Sequence, residues 1–396
     1  MRNSMFKVAP LAIAAAVALA ACGKKEAPPA PKAEPAKAAE APAEVIKIGH
    51  VGPLTGGIAH LGKDNENGAR LAVEEINAAG GLKIGDKTYK FDLVAEDDKA
   101  DPKEGTLAAQ KIVDSGAVAV VGHLNSGTTI PASKIYADAS VTQISPSATN
   151  PKYTEQGFKT AYRVVANDNQ QGQVLANYAA ETLKAKTIAI IDDRTAYGQG
   201  LADVVERVAK EKGLKVVARE FTNDKATDFN AILTKVRGVK PDVVMYGGMD
   251  ATAGPMAKQM TQLGIKSTFL AGDGVCSPEF IKLAGDSAGI LHCSNAGEAV
   301  EKLAKGPEFI DKYKKRFNAD VQIYSPYSYD AVYVIAEAIK RAGKADRAAI
   351  AAAMPATNYP GLTGQIAFDE KGDVKGAAIS MFKVANGKLE YVSTVR

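Results

Sequence analysis

From Val45 onward, short apolar runs alternate with stretches of helical period, and that alternation limits the fold more than any single motif. "VIKIGHV" (45–51) reads as a strand, followed by a Gly-rich loop and a helix around Gly68 to Ala79. "YKFDLVAEDD" (89–98) has the period of two of a half-exposed strand. Asp101 and Pro102 supply an N-cap and a first-turn proline, opening a helix to Ser115. "AVAVVG" (117–122), a helix through Tyr136 and "VTQIS" (141–145) complete one cycle. The second holds a helix from about Gln170 to Leu183, "TIAIID" (187–192), a helix from about Gly198 to Lys212, and "LKVVAREF" (214–221). A helix opened by Asp228, "PDVVMYGG" (241–248), a helix to Leu263, "TFLAG" (268–272) and "AGILHCS" (288–294) come next. Strands separated by helices make parallel βαβ units, and two runs of them make an α/β protein of two doubly wound parallel-sheet lobes. The tail has helices around 306–318 and 326–342, then a strand, an Asp/Gly turn and a strand in "GQIAFDEKGDVKGAAISMFKV". It is too short for a third domain and is expected to return to both sheets, leaving a hinge of several strands.

The N-terminus says where such a body works. Arg2 and Lys7 flank an apolar run from Val8 to Ala21, too short to cross a bilayer and suited to a signal peptide over residues 1–21. It ends "LAAC", the form of a bacterial lipobox, in which small residues admit a peptidase and the thiol of Cys22 takes a diacylglycerol. The alternative is an ordinary secretory signal that happens to hold a Cys. Residues 22–44 are almost all Ala, Pro, Lys and Glu, too poor in apolar surface to fold, and read as an extended tether from a lipid anchor to the body. No other segment is apolar over the length of a span. Cys276 and Cys293, with a predicted helix between them, either form a disulfide in this extracytoplasmic setting or stay as two buried thiols. The net charge of +4 comes from scattered Lys and Arg without a basic stripe, so nucleic acid is not an expected partner.

In open α/β sheets, ligands bind beyond the carboxyl ends of the strands. Polar loops fall there six times: "GPLTGG", "GHLNSGTT" and "SPSATNP" in the first lobe, "DDRTAYGQG", "YGGMDATAG" and "GDGVCSPE" in the second. Ser126, Thr128 and Thr129 in one loop and Ser147 and Thr149 in its neighbour can offer hydroxyl donors where helix starts hold unpaired N–H groups, which suits a carboxylate. The plainer alternative is that Ser126 or Ser147 merely caps its own helix. Asp273, flanked by glycines after a strand of the second lobe, is the candidate for a ligand ammonium, or else a turn residue. Tyr197 offers a ring or a hydroxyl to the ligand, or else staples its helix. Catalytic sets are missing: there is no GxSxG, HExxH or P-loop, and His50, His60, His123 and His292 show no pairing at metal-ligand spacing. His123 reads as a hydrogen-bonded structural histidine. The expectation is a binding protein without metal or cofactor rather than an enzyme.

Several stretches together, in order and spacing, resemble one family: "GPLTG", "GARLAVEEINAAGGL", "EDDKADP", "VVGHLNSGTT", "ISPSATNP", "YGQGL", "DVVMYGGMDATAGPMAKQMTQLG", "GDGV", "YSPYSYDAV" and "FDEKGDVKG". They are similar to the leucine/isoleucine/valine-binding proteins of bacterial ABC importers over Val45 to about Val384. The resemblance implies a type I periplasmic binding fold with three crossovers. One lobe would hold 45–167 and 297–375, the other 168–296 and 376–396. It places Ser126, Ser147 and Thr149 at the ligand carboxylate, with backbone groups from Ser147 and Ala148, and Tyr197 over the ligand. It puts Asp273 at the ammonium, where the family more often has Glu. Leu61 and Met249 stand where the family often has aromatics, Asn125 where a cysteine can occur, and Tyr324 matches a family aromatic, so the side-chain pocket stays apolar with an altered volume. Together with the N-terminal signal, the resemblance implies a monomeric, lipid-anchored periplasmic receptor that hands an apolar L-amino acid to an importer's membrane subunits. Its rivals are an amide, urea or aromatic-acid receptor on the same fold, or a chemosensory receptor without transport.

Overall fold

The computed structural model describes residues 44–396. The signal peptide assigned to 1–21, the lipidation site Cys22 and the tether as far as residue 43 lie outside the described residues. Glu44, assigned to the tether, instead opens β1 (Glu44–Gly52), where its carboxylate meets Lys87 at 2.6 Å.

The first sheet grows outward from β1. After it come α1 (Ala59–Ala78), β2 (Leu82–Ile84), β3 (Lys87–Asp97), α2 (Pro102–Asp114), β4 (Ala119–Gly122), α3 (Ser126–Asp138), β5 (Thr142–Ser145), the single turn α4 (Lys152–Glu155) and β6 (Ala161–Arg163). The strand order is β2-β3-β1-β4-β5-β6, parallel apart from the β2–β3 hairpin. Local chemistry sets the boundaries: Asp101 accepts from the N–H groups of Lys103 and Glu104 to cap α2, with Pro102 in the first turn.

The chain then passes to a second sheet. It begins with α5 (Asp168–Asn177), opened by a reciprocal Asn167/Gln170 capping box and extended by a wide turn over Tyr178–Thr182. Next are β7 (Thr187–Asp192), α6 (Ala196–Glu211), β8 (Lys215–Phe221), α7 (Asn230–Val239), β9 (Val243–Gly247), α8 (Asp250–Gln262), β10 (Thr268–Ala271), α9 (Pro278–Ala284) and β11 (Leu291–Asn295). A return crossing leads to α10 (Gly306–Phe317), α11 (Ser325–Ala342), α12 (Arg347–Ala353) and the small hairpin β12 (Tyr359–Gly361) and β13 (Gly364–Ile366), of which α11 packs on α1. A third crossing brings β14 (Ile379–Ala385) and β15 (Lys388–Val395) into the second sheet, β14 antiparallel to β11 and β15 antiparallel to β14. The second sheet therefore runs β15-β14-β11-β10-β9-β7-β8.

Each lobe has its own core. In the first, Ile48, Val121 and Ile144 of the strands pack with Ala69, Ala72 and Val73 of α1 and Ile335 and Ile339 of α11. In the second, alternate residues of β7 face opposite layers: Ile188 and Ile190 meet Leu201 and Val205 of α6, while Ala189 and Ile191 join the cluster that holds Met256 and Met260 of α8. Burial on both faces explains why these strands read as continuous apolar runs.

Three expectations need correction. Helix α1 starts at Ala59 rather than near Gly68, because "HLGKDNEN" shows no apolar period yet buries Asp64 and Asn65 at 1% and 0% exposure with internal partners. Helix α3 starts at Ser126, so Pro131 lies inside it and the hydroxyl residues form its first turn. The tail holds more than two strands and two helices: α12, the β12–β13 hairpin and β15 lack a strong enough pattern to be read from the sequence. Cys276 and Cys293 are joined by a disulfide, with Cα atoms 5.5 Å apart.

Candidate functional site

The carboxyl ends of both sheets meet at a small cavity. It is lined by Leu124, Asn125, Ser126 and Ser147 from the segments after β4 and β5, by Tyr324 before α11, and by Tyr197, Met249 and Asp273 from the second lobe. The space left there is about 10 Å³, room for one water, so any larger ligand must part the lobes or shift the lining side chains.

Asp273 is the acidic pole. It follows β10 closely and is 1% exposed. Its Oδ1 accepts from Gln171 Nε2 at 3.0 Å and from the Tyr197 hydroxyl at 2.9 Å, and its Oδ2 accepts from the Tyr324 hydroxyl at 2.8 Å. Gln171 grips it twice, because its Oε1 also accepts the Asp273 N–H at 2.9 Å. Burial pushes the Asp273 carboxyl above its ordinary pKa, and the three donors oppose that rise. Tyr197, in the first turn of α6, also accepts the Gly274 N–H at 3.1 Å, so its hydroxyl is a strut for Asp273.

The opposite wall is built from hydroxyls. The first turn of α3 presents Ser126 beside the Ser147 loop. Neither serine acts as a cap for its own helix. Ser126 Oγ accepts the Asn150 N–H at 3.2 Å, while Ser147 Oγ accepts from Asn65 Nδ2 at 3.1 Å and donates to the Leu124 carbonyl at 3.3 Å. Both therefore fix one loop against the next while facing the cavity. The Asn125 side-chain oxygen is buried at this wall without a hydrogen-bond partner among the described residues.

Three expected site residues stand off the cavity lining. Leu61 is fully buried in the core behind it. The Ala148 N–H donates to Ser145 Oγ at 2.8 Å and its carbonyl accepts from Arg163 Nη1 at 2.7 Å, so both of its backbone groups are engaged within the first lobe. Thr149 is fully buried, its carbonyl accepting the Asp168 N–H, and its hydroxyl has no partner among the described residues. Thr128 and Thr129 also turn away: both hydroxyls donate to the Asn125 carbonyl, at 3.1 and 2.8 Å. A hydroxyl one turn into a helix has the backbone carbonyl of its own first turn within reach.

No periodicity or motif in the sequence points to the supporting layer. Asp64 accepts the N–H groups of Gln322, Ile323, Tyr324 and Ser325 at 2.7–3.1 Å, which fixes the start of α11 and hence the Tyr324 ring. Asn65 links Ser147 to Ser328. Asp168 is fully buried behind the site; neither oxygen has a hydrogen-bond partner among the described residues, and burial together with the Asp273 charge pushes its carboxyl up to about 8. His123 is structural, with Nδ1 2.9 Å from Asp98 and Nε2 3.0 Å from the Tyr136 hydroxyl, both inside the first lobe. Among the described residues there is no cluster of His, Cys, Asp and Glu able to hold a metal.

An acid and a hydroxyl wall from opposite lobes face each other beyond the carboxyl ends of two parallel sheets, the place where open α/β sheets bind ligands. Residues 45–388 match the periplasmic binding protein family. Among curated proteins, a Leu/Ile/Val-binding protein homolog of Brucella abortus is 38% identical over 345 residues, covering 86% of this chain and 91% of the relative. The chain belongs to the leucine/isoleucine/valine-binding family. The leucine-, isoleucine-, valine-, threonine- and alanine-binding protein of Pseudomonas aeruginosa is 37% identical over 86% of this chain and 90% of its own length. The solved branched-chain amino acid substrate-binding protein of Streptococcus pneumoniae, in complex with isoleucine, has a TM-score of 0.82 and 30% identity over 89% of this chain and 99% of that one. A leucine-binding protein of Thermotoga maritima has a TM-score of 0.82 at 28% identity, covering 88% and 98%. Members of this family are extracytoplasmic substrate-binding proteins, and this chain has their two-lobed type I fold.

Proposed function

We propose that the chain binds an apolar L-amino acid, branched-chain or of similar size, between its lobes and presents it to the membrane subunits of an ABC importer. One observation carries this reading: Asp273 of the second lobe and Ser126 and Ser147 of the first line the same small cavity. The ligand ammonium would lie at Asp273, and its carboxylate at the Ser126 hydroxyl, at the Ser147 hydroxyl once its proton turns from the Leu124 carbonyl, and at the Ser126 and Gly127 N–H groups that open α3, since those of Thr128 and Thr129 bond the Asn125 carbonyl. Leu124, Met249 and the rings of Tyr197 and Tyr324 form the apolar remainder, and Leu61 and Thr149 support it from behind. A ligand gripped by both lobes favours the closed form by its differential affinity for it. The relatives named for leucine, isoleucine and valine support the same substrate class. In this reading the lobes comprise 45–167 with 297–375 and 168–296 with 376–396, and a monomer is held at the membrane by a lipid on Cys22.

One observation favours a ligand without an ammonium, such as an amide, urea or aromatic acid. Asp273 already accepts three hydrogen bonds from the protein. A carboxylate has about four acceptor positions, so one remains, enough for a single ammonium N–H. A thermal-shift screen decides between the two. Aliphatic L-amino acids should raise the melting temperature, while the matching amides and carboxylic acids leave it unmoved. Stabilisation by the acids or amides alone would overturn the proposal, and turnover of a ligand in the same assay would point to an enzyme.

A further inference from the structure

His60 lies in the first turn of α1 in the first lobe, and Asp250 opens α8 in the second. Across the cleft, His60 Nε2 lies 2.8 Å from Asp250 Oδ2. The two starts are in close contact, since a Cβ on Gly57 would meet Ala251 at 3.4 Å. Asp250 is 0% exposed, while the His60 side chain is 22% exposed at the rim. The same Asp250 oxygen accepts from Ser277 Oγ at 2.5 Å, and Ser277 lies on the loop that begins with Asp273. Its other oxygen is buried without a partner among the described residues.

We propose that His60 and Asp250 are positioning residues for ligand retention, an inter-lobe latch whose bond forms only on closure and strengthens when the imidazole is protonated. This rests on the reading of a cleft that closes on its ligand. Opening must separate His60 from Asp250 and leave a buried carboxylate with one donor fewer. The latch reaches the ligand indirectly, through Ser277 and the loop that carries Asp273. Neither residue lines the inner cavity, so the pair changes how long the lobes stay closed rather than what fits between them.

The sign of the pH effect is set by the groups around the ring. Burial opposes the charged imidazole, but the hydrogen bond and charge of Asp250, with Glu279 of α9, outweigh both burial and the opposing Lys282, so the closed-form pKa of His60 is raised. With the lobes apart, the ring returns towards its ordinary value near ~6.5. Protonation therefore favours closure. The contribution is complete below the open-form pKa and is lost as pH rises through the raised closed-form value.

The test uses the full chain, its His60→Ala and His60→Gln variants, and L-leucine as probe between pH 5.5 and 8.5, reading the dissociation constant and off-rate. Comparing each variant with the parent at the same pH cancels the titration of Asp273 and Asp168, which all three proteins share. His60→Ala should release L-leucine roughly three- to tenfold faster at pH 6, the range of an ordinary hydrogen bond because solvent at the rim screens the charged contribution, and the gap should shrink towards pH 8.5. His60→Gln, whose amide can donate to Asp250 at any pH, should recover part of the affinity without the pH-dependent component. Off-rates of His60→Ala equal to the parent's at every pH would overturn the latch. If L-leucine does not bind at all, the amino-acid reading fails, and the latch is judged on the ring itself. With the lobes held closed by an oxidised Gly57→Cys/Ala251→Cys pair, whose Cβ atoms would lie 3.4 Å apart, the His60 resonance, assigned with His60→Gln, should titrate above its value in the reduced, uncrosslinked protein by NMR; an equal or lower value would overturn it.

Discussion

Replacing Asp273 with asparagine isolates the charge at the acidic pole of the cleft. The two side chains are nearly equal in volume, and the site accommodates the change. The remaining carbonyl oxygen can keep Gln171 and Tyr197, while the new amide faces the Tyr324 hydroxyl, which can turn to accept. The fold should survive, because two of the three hydrogen bonds are kept and the freed Tyr324 O–H and second amide N–H both lie at the cavity, where water can accept them. Binding should not. Removing one partner of a buried, hydrogen-bonded charge pair costs about 2–5 kcal/mol. The retained amide dipole places this case in the lower half, about 2–3.5 kcal/mol, or roughly 30- to 400-fold in affinity. Calorimetric titration with L-leucine reads that loss directly, with a thermal melt as the check on folding. A second signature is pH. Because burial raises the Asp273 pKa, parental binding should weaken as pH falls through that raised value, and the asparagine variant should lack this component. A folded Asp273→Asn protein that binds L-leucine within threefold of the parent would refute the reasoning, since the ammonium would then be held elsewhere.

The surrounding residues give further expectations. Asp168 holds its proton in the folded state up to about 8, against an ordinary value of 3.8, so folding loses up to ~1.4 kcal/mol per pH unit as pH rises between those values. Asp168→Asn should therefore be more stable than the parent by an amount that grows from pH 5 to pH 8 in urea melts; a pH-independent difference would contradict the placement. Asp64→Ala leaves four backbone N–H groups at the start of α11 without their acceptor and should cost about 2–4 kcal/mol of stability and weaken ligand binding through Tyr324, as read by urea melts and calorimetry. Reducing the Cys276–Cys293 bridge, which spans a sequence separation of 17, should lower stability by about 3 kcal/mol while leaving L-leucine affinity within a few-fold, as read by melts and calorimetry with and without reductant.

The sequence revealed what depends on periodicity and failed where buried polar groups do the positioning. Strands such as 187–192 and 243–247 were legible because burial on both faces makes them uniformly apolar between turn residues. The loops after them were legible because glycine, serine and aspartate gather where sheet edges end. The first half of α1 was not, since Asp64 and Asn65 look like loop residues until their partners from position 322 onward are in place. The same limit applies at the site. Asn125, Ser126, Ser147, Tyr197, Met249, Asp273 and Tyr324 meet at one cavity, but no spacing rule shows that Ala148 has both backbone groups engaged or that Thr128 and Thr129 bond back to Asn125. Nor could it pair His60 with Asp250, which are 190 positions apart. Gln171 reads as an ordinary helix residue because its role is set by Asp273, 102 positions further along the chain.

The central claim is that both charges of one small zwitterion are held, one by each lobe. Calorimetry with L-leucine and its two halves tests it most directly: isoamylamine, which lacks the carboxylate, and 4-methylpentanoate, which lacks the ammonium. Each lost charge should cost at least about 2 kcal/mol, so both analogues should bind at least roughly thirtyfold more weakly than L-leucine. Equal or tighter binding of 4-methylpentanoate would show that Asp273 grips no ammonium and that the cleft serves a different class of ligand.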